Sequence, residues 1–195
     1  MNFIKIGVLW FLIWSIIATF FAPENYQILN HLMSDLSTVK HPYPFIMDTG
    51  FYGFSVFACM SAYVLYQKKQ TPQIIILLIA MSAISMSLIA VFDTNYPMSD
   101  VVVTSRGISL HAFFAASQEG LFVLLITYHI LNSMKPYKTV HIIFLTTSLL
   151  LSFIFILNIY PGLFQRLIFI NNGIWLFTYF QKFKQKSATS ALIQN

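Results

Sequence analysis

Charge is the scarcest ingredient of this 195-residue chain, with Asp, Glu, Lys and Arg together making up 9% of it. Soluble domains carry roughly 25%, and a chain so poor in charge cannot cover a water-facing surface. Hydrophobic residues fill 57% of the sequence, and the mean hydropathy is +0.73. Lipid needs no charged covering, so the class is an integral membrane protein. Cysteine is nearly absent too. Cys59 stands alone, which excludes an intramolecular disulfide and a thiolate metal cluster; inside an apolar run it reads as a small core residue. HExxH, the phosphate-binding P-loop, GxSxG, CxxC and any long charged soluble segment are all missing. Nucleotide-driven chemistry is therefore not among the readings.

What the chain does have is long apolar runs. Crossing about 30 Å of hydrocarbon takes about 20 residues at 1.5 Å each. Six segments meet that length: 3–22, 46–66, 73–92, 107–131, 139–158 and 163–180. None alternates like a barrel strand, and lipid offers no partner to a free backbone amide, so the segments are helices. The expected fold is all-α, a polytopic membrane protein with six transmembrane helices. The first run is longer than a usual signal-peptide core, is rich in Phe and Trp, and meets Pro23 just after its one small-residue site. It reads as a signal anchor retained as the first helix.

The formal charge of +5 comes from basic residues in short loops between apolar runs, the pattern that sets topology rather than nucleic-acid binding. Placing the N-terminus inside puts eight of the eleven basic residues there: Lys5, Lys68, Lys69, Lys135, Lys138, Lys182, Lys184 and Lys186. Lys40, Arg106 and Arg166 fall outside. Both termini are thus expected in the cytoplasm, in a cell membrane of the bacterial inner-membrane type. Residues 1–186 form one domain, and 187–195 a short disordered tail.

Under this topology the acids sort themselves. Glu24, Asp35, Asp48, Asp93 and Asp100 fall at outer loops or outer helix ends, and only Glu119 lies deeper. The inner connections, 67–72 and 132–138, are short, whereas the outer ones, 23–45 and 93–106, are long. Long loops on one face of a helical scaffold are where function usually resides. The stretch from Phe92 to Glu119 is the densest mixture of ionisable groups, with Asp93, Asp100, Arg106, His111 and Glu119.

Four outer-face groups could carry chemistry, and each also has a structural role open to it. Ser34-Asp35-Leu36-Ser37, flanked by His31 and His41, could line a site or serve as turn residues bonding nearby amides. Asp48-Thr49-Gly50, with Gly53 a turn later, could bind a ligand, or supply a helix-dipole acid and glycines for close packing. Asp93 at the end of the third helix and His111 near the start of the fourth could form an acid–imidazole pair or a hydrogen bond closing that connection. On a helix Gln118 returns to within about 20° of His111 and Glu119 to about 80°, with Glu119 about 12 Å deeper. An ionisable group at that depth is costly, and so either a candidate functional residue or a protonated Glu bonded between helices. The fourth group, Gly162-Leu163-Phe164-Gln165-Arg166, opens the sixth helix. Arg166 has a planar fork suited to a phosphate or an aspartate, and pairing with an outer acid is the expectation. His129 and His141 are expected at the inner interface, and Ser82 and Ser85 as small packing residues.

These residues carry a resemblance. SDLS (Ser34–Ser37), Asp93 with Pro97, Leu110-His111 and GLFQR (Gly162–Arg166) resemble the domain of unknown function (DUF) 998 family of bacterial and archaeal multi-pass membrane proteins, over most of the chain. Members often read SDLG where this chain has Ser37. The layout is also similar to eukaryotic six-span proteins of autophagy modulation and GPI-anchor remodelling, which share a Ser-Asp after the first helix. The family implies architecture and site positions and brings no established reaction. The outer polar set is similar to membrane hydrolases that hold zinc through Ser, Asp and several His. The usual three-histidine pattern of those hydrolases is missing, however, so no metal is assigned.

The resulting reading is an outward-facing polar pocket of Asp35, Asp93, His111 and Arg166. Asp93 and His111 are the candidate catalytic pair, and Ser34, Asp35, Asp48, Glu119 and Arg166 the candidate binding residues. The partner is the lipid bilayer, with a lipid head group as ligand; no nucleic acid and no cofactor is assigned. Hydrolysis or transfer on a lipid, a non-enzymatic lipid- or partner-binding scaffold and, third, a small-solute transporter all remain open.

Overall fold

The computed structural model describes residues 3–38, 41–69, 71–92, 110–133 and 135–178, without the side chains of 135 and 136. Among the described residues there are six α-helices: α1 (Phe3–Phe20), α2 (Pro44–Gln67), α3 (Gln73–Val91), α4 (Leu110–Asn132), α5 (Lys135–Ile156) and α6 (Pro161–Thr178). One turn of 3-10 helix, Met33–Ser37, lies in the first connection. Proline marks several starts. Pro44 opens α2, Pro161 opens α6 and Pro72 caps α3, where a missing N–H costs nothing because the first-turn amides lack helical partners. The α5–α6 connection reverses within a few residues through Asn158 and Tyr160, both at positive φ (58° and 45°).

Each helix packs on its neighbour in sequence, and α6 closes on α1. Contacts run in opposite order along neighbouring helices. Phe21 meets Tyr43 and Trp10 meets Phe57 between α1 and α2, and Phe92 meets Phe114 and Ser82 bonds Gln118 between α3 and α4. Between α1 and α6, Phe11 meets Phe169 while Lys5 lies over Phe177. The result is an up-and-down ring. Its interior holds an aromatic cluster, with the Phe11 ring 5.6 Å from Phe51 and 5.1 Å from Phe169. Gly53 is needed where α1 meets α2, because a Cβ there would sit 1.9 Å from the Trp10 indole nitrogen.

The outside of the ring is apolar along its length, with Ile13, Leu77, Ile84, Leu124, Leu150 and Phe153 exposed. The inside holds buried Ser15, Ser55, Ser61, Ser85, Ser148 and Asn172. Lipid tails give apolar side chains no reason to turn inward, whereas polar groups must find partners between helices. Ser55 does so by donating to the Ala83 carbonyl at 2.6 Å.

Five of the six expected spans, α1 to α5, are long and apolar enough to cross a membrane. α6 falls short of that apolarity among the described residues, because Gln165, Arg166, Asn171 and Asn172 lie within it. Cys59 is exposed on α2 rather than a core residue, which leaves the interior to its neighbour Ala58. His129 and His141 are also placed differently from expectation. They are 1% and 3% exposed, packed with Trp175 inside the ring, where the indole N–H donates to His141 Nδ1 at 3.0 Å. The tail 187–195 and the expected second outer loop, including Asp93, Asp100 and Arg106, lie outside the described residues.

Candidate functional site

At the end of the ring where α2, α4 and α6 begin, the first connection folds back over the helices. Asp35 starts this arrangement: its Oδ2 accepts the Leu32 N–H at 2.8 Å and closes the 3-10 turn, the turn chemistry expected of an Asp in that place. The same turn buries Leu36 completely at 0% exposure, anchoring the loop in the core. The Ser37 hydroxyl donates to Asp48 Oδ1 on α2 at 2.5 Å. Asp48 lies beyond the first turn of α2, so it receives the loop hydroxyl instead of serving the helix dipole as expected.

The sequence Gly162–Arg166 forms the other half of this clasp. A Cβ on Gly162 would lie 2.2 Å from the His31 carbonyl oxygen and 2.5 Å from that of Ile28, so only glycine lets the loop backbone come this close. The Leu163 N–H donates to the Leu29 carbonyl at 3.1 Å, which satisfies one of the free amides at the start of α6. Gln165 Oε1 accepts the Met33 N–H at 2.6 Å.

Arg166 completes the clasp, and here the structure departs from the expected aspartate pair. Its Nη1 donates to the carbonyls of Ile28 (2.8 Å), His31 (3.1 Å) and Gly162 (2.8 Å). Its Nη2 donates to the Tyr26 hydroxyl, which donates in turn to the Leu32 carbonyl at 3.1 Å. A rigid fork of N–H groups suits several carbonyls converging from a folded loop better than one carboxylate. Asp35 is still near enough for Arg166, His31 and His111 to act on its carboxyl. Burial nevertheless dominates and raises that carboxyl above its ordinary value. Burial likewise raises the Tyr26 phenol, against the opposing charge of Arg166, and lowers the His41 imidazole.

His111, 5% exposed, joins α4 to the end of α3. Its Nδ1 lies 3.1 Å from the Ile89 carbonyl and 2.9 Å from that of Phe92. Carbonyls only accept, so Nδ1 carries the hydrogen, and in the neutral ring Nε2 is left as a bare lone pair. Among the described residues that buried nitrogen has no partner, and neither does the hydroxyl oxygen of Ser34, next to Asp35. The loop end therefore holds an imidazole nitrogen, a hydroxyl and a carboxyl group, the first two without a partner among the described residues. Asp93, the other half of the expected catalytic pair, follows Phe92 directly in sequence and lies outside the described residues.

Glu119 is separated from this set. Gln118 turns towards α3 as the helical spacing implies, exchanging bonds of 2.9 and 2.7 Å with Ser82. Glu119 turns to α5 and α6. Its Oε1 accepts from Ser148 at 2.5 Å and from Ser152 at 3.4 Å, and its Oε2 from Asn172 at 2.7 Å. Sequence reasoning passed over these three partners. The signals were there, as serines one turn apart at Ser148 and Ser152, and as Asn171-Asn172 in an otherwise apolar run. No group of three or more His, Cys, Asp or Glu gathers as a metal set among the described residues.

An antiparallel helical ring with an apolar exterior and polar residues tied between helices defines a multi-pass membrane protein. Residues 5–181 match the model of the family described as "Protein of unknown function (DUF998)", and the chain belongs to that family. No curated protein and no solved structure matches it, so the likeness to six-span autophagy and GPI-remodelling proteins gains no support.

Proposed function

We propose that this protein spans the bacterial cytoplasmic membrane six times, with both termini inside and the clasped loop outside, and that the loop end binds and processes a lipid head group. α6 serves as the sixth span, its polar residues taken up by the loop, Glu119 and the neighbouring helices. The observation that carries the reading is His111. Two carbonyls take the hydrogen on Nδ1, and Nε2 is buried with no partner among the described residues. An imidazole held this way is equipped to take a proton from water or a hydroxyl in hydrolysis or transfer. Asp35 and Ser34 supply the polar contacts, and Asp48 holds the loop through Ser37. Arg166, spent on carbonyls, is a positioning residue.

Lipid profiling of cells carrying His111→Ala against wild type tests this reading. The expected outcome is accumulation of one lipid class and loss of another, with the variant still folded. An unchanged profile from a folded variant rejects the enzyme and leaves a non-enzymatic lipid- or partner-binding scaffold. The commitment of Arg166 to the loop backbone is the observation that favours this second reading. Reporter fusions check the topology: those after Lys69 and Lys138 are expected to report cytoplasm, and those after Asp100 the exterior.

A further inference from the structure

Glu119 carries a formal negative charge into the middle of the bundle, and among the described residues no positive group bonds it there. Its partners, Ser148, Ser152 and Asn172, are all neutral. α3, on one side of α4, has no ionisable residue. α5 keeps Lys135, Tyr137, Lys138 and His141 to its first two turns, and on α6 Arg166 is occupied by the loop carbonyls. On α4 itself His111, Tyr128 and His129 lie about two turns or more away. A bare carboxylate in such surroundings is costly even when hydrogen-bonded, and the cost is relieved by acquiring one positive charge.

The network is arranged to accept that charge without moving a helix. Ser148 has one hydroxyl hydrogen and two acceptors, Glu119 Oε1 at 2.5 Å and Asn172 Oδ1 at 3.1 Å. When Glu119 is bare, the hydrogen points to Oε1. When a proton sits on Oε1, Glu119 donates to Ser148 Oγ, and the Ser148 hydrogen turns to Asn172 Oδ1. With a sodium ion, the carboxylate, the two hydroxyl oxygens and the amide oxygen offer hard donors from three helices. We propose that Glu119, Ser148, Ser152 and Asn172 form a binding site for one exchangeable monovalent cation, a proton or a sodium ion, about halfway through the bundle. The site is independent of the head-group reading and stands if that reading fails.

The test uses the full-length protein in lipid nanodiscs, as wild type, Glu119→Gln and Ser148→Ala. Glu119→Gln keeps the size and one oxygen while removing the charge. An infrared carbonyl band of a protonated carboxylic acid that titrates in wild type and is missing from Glu119→Gln assigns the proton. A rise in Tm with sodium chloride over choline chloride that is missing from Glu119→Gln assigns sodium. Either result supports the site, and Ser148→Ala then weakens binding of that cation about tenfold, the loss of one hydrogen bond to a charged group. The proposal is overturned if wild type shows neither response, or if Glu119→Gln or Ser148→Ala, each still folded, responds as wild type does.

Discussion

The loop end and the centre of the ring are both polar, yet they are built from different materials. At the loop end most partners are main-chain groups: Arg166 holds three carbonyls, His111 two, and Asp35 and Gln165 one amide each. At the centre, Glu119 meets only side chains. Main-chain acceptors are fixed by the fold, so the clasp tolerates little change of shape. Hydroxyls and amides can rotate, so the centre can take up a charge and release it. One region holds a geometry, and the other can alternate between two.

That contrast can be broken most severely at Gly162. Gly162→Ala drives a methyl into the His31 and Ile28 carbonyls, and an expected cost of about 3 kcal/mol appears as a large loss of folded yield and Tm. Arg166→Lys comes next. A lysine keeps the charge but lacks the fork, and the expected loss is about 2 kcal/mol by thermal unfolding in detergent. Were Arg166 an anion receptor rather than a fastener, lysine would preserve stability and weaken only ligand binding. Glu119→Gln is expected to change stability by less than about 1 kcal/mol, because an adaptable network re-forms around the amide.

The smallest effect is expected at Asp35. Its folded carboxyl is raised by burial, so the neutral form is favoured by folding. The stability this contributes is fully present below the ordinary aspartate value of 3.8 and is lost as pH rises through the folded value. Asp35→Asn keeps an acceptor for the Leu32 amide and stays neutral. Wild type should therefore lose stability relative to Asp35→Asn as pH climbs out of the acid range, in parallel melts across pH.

Much of this fold is legible in the sequence because length and apolarity decide where helices form in lipid. The expected run 73–92 differs from α3 (Gln73–Val91) by one residue. The α5 start is less legible. Lys135 and Pro136 read as loop, whereas the helix already begins at Lys135, since proline is at home in a first turn. The site was legible in its members but not in their partners. The expectation for Arg166 weighed charge against charge and missed the carbonyls of a loop remote in sequence. By helical angle Glu119 is expected to face the same interior as His111, about 12 Å deeper. Its actual direction depends on Ser148 and Asn172, and no single-helix periodicity contains them. His129 and His141 looked interfacial because imidazole is polar, and Trp175 gives them a buried place instead.

The central claim is that the Ile89 and Phe92 carbonyls hold His111 with hydrogen on Nδ1 and Nε2 bare, ready for a head group. Nitrogen-15 NMR of selectively histidine-labelled protein in nanodiscs, with His111→Gln to assign the resonance, measures it directly. The account predicts a neutral His111 with hydrogen on Nδ1, whose Nε2 signal alone shifts when the lipid identified by profiling is added. Hydrogen on Nε2 before addition, or an Nε2 signal that the lipid leaves unmoved, would contradict it.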